Sequence, residues 1–494
     1  MSAKVGVPLY SRAPSRAVIA VGVVLFGCAM AYLGTIQSWT LAAVLCFGVL
    51  ITVLAFYNME WAILGLVVMS NFDGFLKPLF AERFSLFLKD YFIFLAAARW
   101  LWGLLSGESR PSVRSLVAAP ALILAGYVVA QIANPNSQGL ALSLAGVRAW
   151  LLWLPVFFIT YDYLESRRQL DRLWRVAMIV GVLVGAYGIV QYFVGFEHLY
   201  RLSRDFEIYA KMSYTADAGR RVLRVFSTMV HPGAFGGAMG FMTLVASGLA
   251  FSAPTRGWRI ASMLSVPVLA VGLFLSGARA AMLGTGIGLV AFIAFSRRPV
   301  LFLVAGVLLL GGFWQSARLT EGGLESRVQS LTWEYTADRA SAPFETGVQV
   351  ALEHPLGVGT SFGTGVGRTE RDERSTQGGR KTLFIENDFG RALAELGVGA
   401  VLYLLLLVAA AVGGCLAQRR LRSPANATLA AALLGAAASV AVTLVVGQAL
   451  YIAPGALYFW LAVASVMRLP SIEAASAAEE SSPSADETAG RLAG

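Results

Sequence analysis

The sequence is poor in cysteine and in charged residues. Its three cysteines, Cys28, Cys46 and Cys415, all lie inside apolar runs. This placement excludes a disulfide framework and a cysteine-based metal site, so the polar segments keep their shape without cross-links. Only 14% of the 494 residues are charged and 57% are hydrophobic, a balance that excludes an ordinary soluble domain.

Apolar runs long enough to cross a bilayer recur along the chain, since about 20 helical residues span the hydrocarbon core. Lipid leaves a bare backbone without hydrogen-bond partners, and these runs are too long and too uniform for barrel strands. The sequence therefore predicts an all-α polytopic membrane protein with about 12–14 transmembrane helices. No small-residue cleavage site follows the first run, so we expect it to stay in the protein. The runs are 17–36, 39–56, 60–78, 85–105, 116–133, 139–161, 173–195, 232–251, 258–276, 279–296, 299–314, 391–417, 426–447 and 451–467.

Lys and Arg collect in alternate connectors, beginning with Lys4, Arg12 and Arg16 before the first run. The intervening short connectors, near Gln37, 134–139 and Gln448, have neither residue. The positive-inside rule assigns both termini to the cytoplasm and the long polar stretch 315–390 to the outside. Much of the net charge of +10 is this orienting charge, so we do not predict nucleic-acid binding.

The chain divides into six parts. The tail is rich in Ala, Ser and Glu and is predicted to be disordered. In the large loop, Ser341 and Pro343 predict the start of an amphipathic helix of about a dozen residues, and His354–Pro355 predict its end. We expect this helix on the membrane surface or over a cavity mouth. The parts are N-terminal transmembrane helices (1–195), a basic outer connector (196–230), central transmembrane helices (231–314), a large outer loop with short helices (315–390), C-terminal transmembrane helices (391–468) and a tail (469–494).

Arginines at the outer ends of two spans are candidate site residues. Arg221 and Arg224 are three apart and share a face if the helix that follows has already begun. Arg279 follows the Ser276–Gly277 reversal, and a lone Arg near hydrocarbon is costly unless it faces an aqueous cavity or an anion. The alternative is an Arg that reaches lipid phosphate at the interface. Arg148 is a second intramembrane cation with no partner nearby in the sequence.

The large loop closes with ENDFGRALAELGVG, which leads into the next span. Glu386 is a candidate general base, since proton abstraction needs a positioned acceptor, and equally a helix-start acid that interacts with the dipole. Arg391 and Glu395 are four apart, which favours an ion pair over a substrate contact. His354 is a further candidate, although its position before Pro355 favours a structural role.

The glycine-rich segment 357–367 resembles a phosphate-binding loop only superficially. It lacks the Lys-Ser/Thr of a Walker motif, and no strand precedes it. A flexible loop is the better interpretation. The outer arginines and the carboxylate instead suit an anionic, lipid-linked substrate, since guanidinium binds phosphate bidentately and stabilises a departing diphosphate.

The order of these motifs resembles the O-antigen ligase and O-antigen polymerase superfamily, membrane glycosyltransferases of the GT-C type. The matching elements cover about residues 220–415 and are Arg224 leading into HPGAFGG, the SGARAAM turn, HPLGVGTSFG and ENDFGRALAELGVG.

The resemblance implies a polyprenyl-diphosphate-linked glycan donor such as an undecaprenyl diphosphate, a glycan acceptor, no metal or other cofactor, and a bacterial inner membrane with the large loop in the periplasm. It implies that Arg224 and Arg279 contact the diphosphate and that Glu386 is the base. Further candidates for binding diphosphate or glycan are Arg221, His231, Asn387, Arg391 and His354. Ligases of the family typically have His where this chain has Glu386, which favours a polymerase of surface polysaccharide, O-antigen or exopolysaccharide over a ligase.

Two other classes stay open. A transporter or flippase of lipid-linked oligosaccharide suits the number of spans, and Arg148 would fit an internal basic path. Against it, the hydropathy pattern shows no internal repeat and the charge lies in one outer loop. A glycan-binding scaffold without chemistry is the third class. The sugar, the linkage, the processivity and a partner that regulates chain length are not indicated.

Overall fold

The computed structural model describes residues 49–50, 52–79, 81–107, 115–137, 139–217, 220–229, 231–296, 299–319, 333–360, 385, 387–450 and 452–481. The protein is an all-α, multi-pass membrane protein: in these residues, eight helices are long and apolar enough to cross a membrane. The predicted span 17–36 and most of 39–56 lie outside the described residues.

The helices are α1 (Met59–Asn71), α2 (Asp73–Leu79), α3 (Ala81–Leu105), α4 (Ala118–Ala130), α5 (Leu140–Leu151), α6 (Leu154–Tyr163), α7 (Arg167–Val194), α8 (Glu197–Tyr200), α9 (Phe206–Ser213), α10 (Pro232–Ser252), α11 (Arg256–Leu275), α12 (Arg279–Ser296), α13 (Pro299–Leu319), α14 (Trp333–Glu353), α15 (Asp388–Leu396), α16 (Ala400–Arg420), α17 (Pro424–Val446) and α18 (Gly455–Ser481). One hairpin joins strands β1 (Tyr214–Asp217) and β2 (Arg220–Leu223).

The predicted apolar runs are largely helical where the structure describes them, although three of them are interrupted. The run 139–161 breaks at Leu152 and Trp153, between α5 and α6. The run 60–78 breaks at Phe72, between α1 and α2. The run 391–417 breaks at Gly397, which has a left-handed φ of 55° that favours glycine and separates α15 from α16.

The connectors sort onto two ends of the bundle. At one end, Arg172 pairs with Glu60, and the Arg468 Nε donates to the Leu164 carbonyl oxygen at 2.8 Å. At the other end, the Asn134 Nδ2 donates to the Gly357 carbonyl oxygen at 3.0 Å. We call the second end the loop end, because it joins the short uncharged connectors to the large polar loop. Consecutive spans that cross the membrane in opposite directions place their connectors at the two ends in this way.

Helix α10 forms the centre of the bundle and packs against α11, α12 and α17. Small residues let the helix backbones approach closely, as is common between membrane helices. A Cβ on Gly248 would lie 2.3 Å from the Ala432 Cβ, and a Cβ on Gly288 would lie 2.4 Å from the Gly435 carbonyl oxygen. The site described below opens from this tightly packed centre.

The segment before α10 is not yet helical at Arg221 and Arg224. Arg221 lies in β2 and pairs with Ala216 of β1, while the Arg224 amide donates to the Ser213 carbonyl oxygen at 2.8 Å. Helix α10 begins only at Pro232. The condition for Arg221 and Arg224 to share a helical face is therefore not met, and extended backbone has a two-residue period instead.

The large loop and the tail are more helical than predicted. Helix α14 begins at Trp333, so that Ser341 and Pro343 lie inside it, and it ends at Glu353 as predicted. Helix α18 continues to Ser481, so the prediction of disorder was wrong for 471–481, and 482–494 lie outside the described residues. Ala and Glu favour the continuation of a helix, and the Glu473 carboxylate accepts from the Ser423 amide at 2.9 Å.

Candidate functional site

A cavity of about 150 Å³ lies at the loop end of the bundle. It lies where α10 and α12 begin, α17 ends and the segment 447–455 leads into α18. We call it the central cavity. Among the described residues, its wall is mostly apolar, and the polar side chains that line it are His231, Thr285, Ser439, Thr443 and Gln448.

His231 starts α10 and lines the central cavity. Its Nδ1 accepts a hydrogen bond from the Ala234 amide at 3.1 Å, and Pro232 occupies the first helical turn. The His-Pro-Gly sequence is thus a helix start whose capping residue is an imidazole, at a position usually taken by Ser, Thr, Asp or Asn.

Arg224 lies against the turn between α11 and α12. Its Nε donates to the Ser276 carbonyl oxygen at 3.1 Å, and the Val225 amide donates to the Leu275 carbonyl oxygen at 3.2 Å. Gly277 has a φ of 57°, and a Cβ there would lie 3.2 Å from the Arg224 Cγ. Helix α12 begins at Arg279, two residues later. The two candidate diphosphate arginines therefore belong to one structural unit, even though 55 residues separate them in the sequence.

The closing segment of the large loop is attached to the rim of the central cavity. The Gln448 Nε2 donates to the Ile385 carbonyl oxygen at 2.9 Å. The Asp388 Oδ2 accepts from the Ala449 amide at 3.0 Å and from the Leu450 amide at 3.2 Å. Glu386 itself lies outside the described residues, but both of its chain neighbours are buried next to the segment that lines the cavity.

The candidate Asn387 serves as a helix cap. Its Oδ1 accepts from the Gly390 amide at 2.6 Å at the start of α15, and its side chain is buried. Capping of α15 is therefore sufficient to account for an Asn at position 387, and no bound ligand is needed to explain it.

The candidate Arg391 forms the ion pair that the four-residue spacing favours. Its Nε lies 3.2 Å from the Glu395 Oε2, and both side chains are fully buried. The Trp150 indole donates to the same carboxylate oxygen at 2.5 Å, and the guanidinium lies 4.8 Å from the indole ring centre. Arg391 and Trp150 line a second, smaller cavity with Tyr403, and they do not line the central cavity.

His354 lies where two glycine segments pack together. Its carbonyl oxygen accepts from the Gly357 amide at 2.7 Å, and the Pro355 carbonyl oxygen accepts from the Val398 amide at 2.9 Å. Gly357 and Gly397 have φ values of 83° and 55° and contact each other's segment through backbone atoms. We call this contact, between 355–358 and 394–398, the glycine clasp. The Pro-Leu-Gly element therefore attaches the loop to α15.

Sequence reasoning missed the contribution of the 447–455 segment and the partner of Arg148. Gln448 is a polar residue between two apolar runs, a signal that identifies the connector without indicating its contact with Ile385. Arg148 pairs with Asp90 of α3, which is 58 residues earlier in the chain.

Within the described part of the chain, no group of three or more His, Cys, Asp and Glu side chains is arranged to hold a metal ion. Comparison of the sequence with protein-family models finds no match, and neither does comparison with curated proteins.

Proposed function

We propose that the protein is a membrane glycosyltransferase that extends or attaches polyprenyl-diphosphate-linked glycan at the loop end of the bundle. The observation that supports this most is the meeting of three separate motifs at the central cavity. His231, Ala278, Ala280 and Ala281 line the cavity, and Arg224 contacts the turn that precedes these alanines. Gln448 joins the cavity wall to the chain on one side of Glu386.

The diphosphate of the donor binds Arg224 and Arg279. Guanidinium keeps its charge at any physiological pH and matches two phosphate oxygens at once. Arg279 also stands at the first turn of an 18-residue helix, where the helix dipole favours negative charge. His231 and Arg221 lie on the elements that flank this position, so we assign them to the same binding region.

The reaction is a displacement at the anomeric carbon of the donor sugar. Glu386 removes the proton from the acceptor hydroxyl, the acceptor oxygen forms the new glycosidic bond, and the bond to the phosphate oxygen breaks. The diphosphate lipid departs with the electron pair, and the two arginines stabilise the charge that develops. The energy comes from the donor, so no nucleotide is needed.

The cellular setting follows from the distribution of basic residues. Both termini and the Arg-rich connectors lie in the cytoplasm, and the loop end faces the periplasm of a bacterial inner membrane. Glu386 in place of the His of ligases favours polymerisation of a surface polysaccharide, and the acceptor is then a second lipid-linked glycan.

The direct test uses purified protein in detergent with a polyprenyl-diphosphate oligosaccharide, and the readout is longer lipid-linked glycan. We expect Glu386→Gln to lower elongation about 100-fold or more, because the amide cannot accept the proton. Glu345→Gln, on the exposed side of α14, is the matched control and should elongate normally.

The same variant separates the transferase from a flippase. In proteoliposomes, a flippase should still move the lipid-linked oligosaccharide across the bilayer after Glu386→Gln, and a transferase should make no polymer. Normal polymer from Glu386→Gln would remove Glu386 from the mechanism.

A further inference from the structure

A groove of about 470 Å³ runs along the outer side of α12, between it and the α11–α13 pair. One wall consists of side chains from α12, and the other wall contains Phe274 and Phe313, whose rings meet edge to face at 5.5 Å. We call it the α12 groove. Its α12 residues are Met282, Leu283, Gly286, Ile287 and Val290.

The helical register puts Arg279 at the head of this groove. The α12 groove residues follow Arg279 at spacings of 3, 4, 7, 8 and 11, which all fall on one helical face. The opposite face of α12 is packed: a Cβ on Gly284 would lie 2.5 Å from the Ser439 carbonyl oxygen. The cationic Arg279 therefore precedes the apolar α12 groove on the same helical face.

The groove is kept open by a missing side chain. A Cβ on Gly286 would have no atom within 4 Å. Ile287 and Val290 are 43% and 64% exposed, and α13 packs mainly against α11, so the space beside α12 stays unfilled. A side chain at 286 would therefore project into this open space.

We infer that the α12 groove holds the hydrocarbon tail of a lipid whose diphosphate contacts Arg279. This inference rests on the proposed function and adds where the donor lies. The anionic head binds at the start of α12, the tail runs down the groove, and the glycan enters the central cavity on the other side of the same helix.

Shape provides the selectivity of the groove. The bilayer is as apolar as the groove, so the hydrophobic effect does not favour moving the tail from lipid into the groove. Binding of the tail depends instead on van der Waals contacts with the groove walls. The charge at the head and the channel below it together favour a diphosphate lipid over an ordinary phospholipid with two tails.

Photo-crosslinking tests the binding independently of glycosyl transfer. The probe is a polyprenyl diphosphate with a photoreactive group in its tail, added to the full-length protein in nanodiscs. We expect labelling between residues 282 and 290, competition by unlabelled polyprenyl diphosphate and no competition by excess phosphatidylglycerol.

Gly286→Leu should reduce labelling about tenfold, whereas Gly126→Leu, at another helical glycine with open space around it, should not. Equal competition by phosphatidylglycerol, or labelling spread around the bundle, would overturn the inference.

Elongation kinetics provide the second readout. Gly286→Leu should raise the KM for a long-tailed donor about tenfold and leave kcat unchanged, because it removes binding that ground and transition states share. Gly286 is seven residues, or about 10 Å, along α12 from Arg279. A donor whose tail is too short to reach that depth should show equal KM with both proteins. If Gly286→Leu elongates the long-tailed donor as well as the wild type does, the groove inference is wrong and the glycosyltransferase proposal stands. If the groove is labelled but the wild type shows no elongation, the glycosyltransferase proposal is wrong and the lipid site stands.

Discussion

At the residue scale, Arg224 has a structural contact as well as a proposed role in chemistry. Its Nε donates to the Ser276 carbonyl oxygen, so its removal also deletes a hydrogen bond worth about 1 kcal/mol. Loss of activity in an Arg224 variant is therefore evidence for a role in chemistry only when the amount of folded protein is unchanged.

We expect Arg279→Ala and Arg224→Ala to abolish elongation without loss of folded protein. Removal of one preorganised donor to a developing charge typically costs about 100- to 1000-fold in rate. Arg279→Lys should recover only part of the activity, since lysine keeps the charge and loses the bidentate fork. Arg201→Ala, at an exposed arginine of the same outer connector, should elongate normally. Full elongation by the folded Arg279→Ala variant contradicts the proposed diphosphate contact.

Contacts within one helical turn could be predicted from the sequence, and contacts between distant segments could not. The Arg391–Glu395 pair follows from the four-residue spacing. The bond between Gln448 and Ile385 joins residues 63 apart, and that between Arg148 and Asp90 joins residues 58 apart. No local pattern encodes such pairs, because they depend on how the helices pack.

At the scale of elements, the central cavity lies between helix starts and ends that small residues hold close together. Gly237 lines it, and a Cβ at that position would have no atom within 4 Å. We expect Gly237→Leu to fill part of the cavity and to lower kcat/KM at least about tenfold, with an unchanged melting temperature. Gly257→Leu, at a helical glycine of α11 that also has open space, is the control. Normal kinetics for Gly237→Leu would place the substrate elsewhere.

The crossing of α14 and α15 depends on two glycines. A Cβ on Gly347 would lie 2.3 Å from the Gly390 carbonyl oxygen, and backbone atoms there cannot move aside easily. Gly347→Ala should therefore lower the free energy of unfolding by about 1–3 kcal/mol, as overpacking usually does. Thermal unfolding in detergent measures this change. Gly311→Ala has open space and should not destabilise the protein. An unchanged melting temperature for Gly347→Ala would show that the two helices separate easily.

The same crossing explains why the predicted start of α14 was wrong. Ser341 and Pro343 are good residues for a first turn, and the local pattern places the start there. The Pro343 carbonyl oxygen instead lies 2.2 Å from where a Cβ on Gly390 would be, so proline occurs in a helix held by tertiary contact with α15. Apolar length predicted the all-α, multi-pass architecture, since burial in lipid leaves the backbone few alternatives.

At the scale of the whole molecule, His231, Arg224 and Asn387 lie at the loop end, and the described basic residues Arg167 and Arg175 lie at the opposite end, where they contact Ser252 and Trp258. From the alternation of Lys and Arg along the chain, the sequence predicted that the basic connectors share one side. It did not predict that the central helix would be α10, because the α10 run is no more apolar than its neighbours. The position of a helix in a bundle depends on small residues that fit opposite one another.

Metal removal is a test of the whole mechanism. The proposed chemistry uses arginines to stabilise the leaving group, so EDTA should leave elongation unchanged when the protein is purified and assayed without added divalent ions. Magnesium added back should have no effect beyond that of ionic strength. A strict requirement for a divalent ion would show that a cation, and not the guanidinium pair alone, neutralises the departing diphosphate.

The glycine clasp fastens the large loop to the bundle through main-chain atoms, in a sequence whose three cysteines all lie in apolar runs. Thiol reductants consequently leave this attachment intact, so the protein can be kept reduced while single reporter cysteines are placed at either end of the bundle. Labelling these cysteines from one side of a sealed vesicle measures which end faces that side, and so tests the sidedness assigned from positive charge.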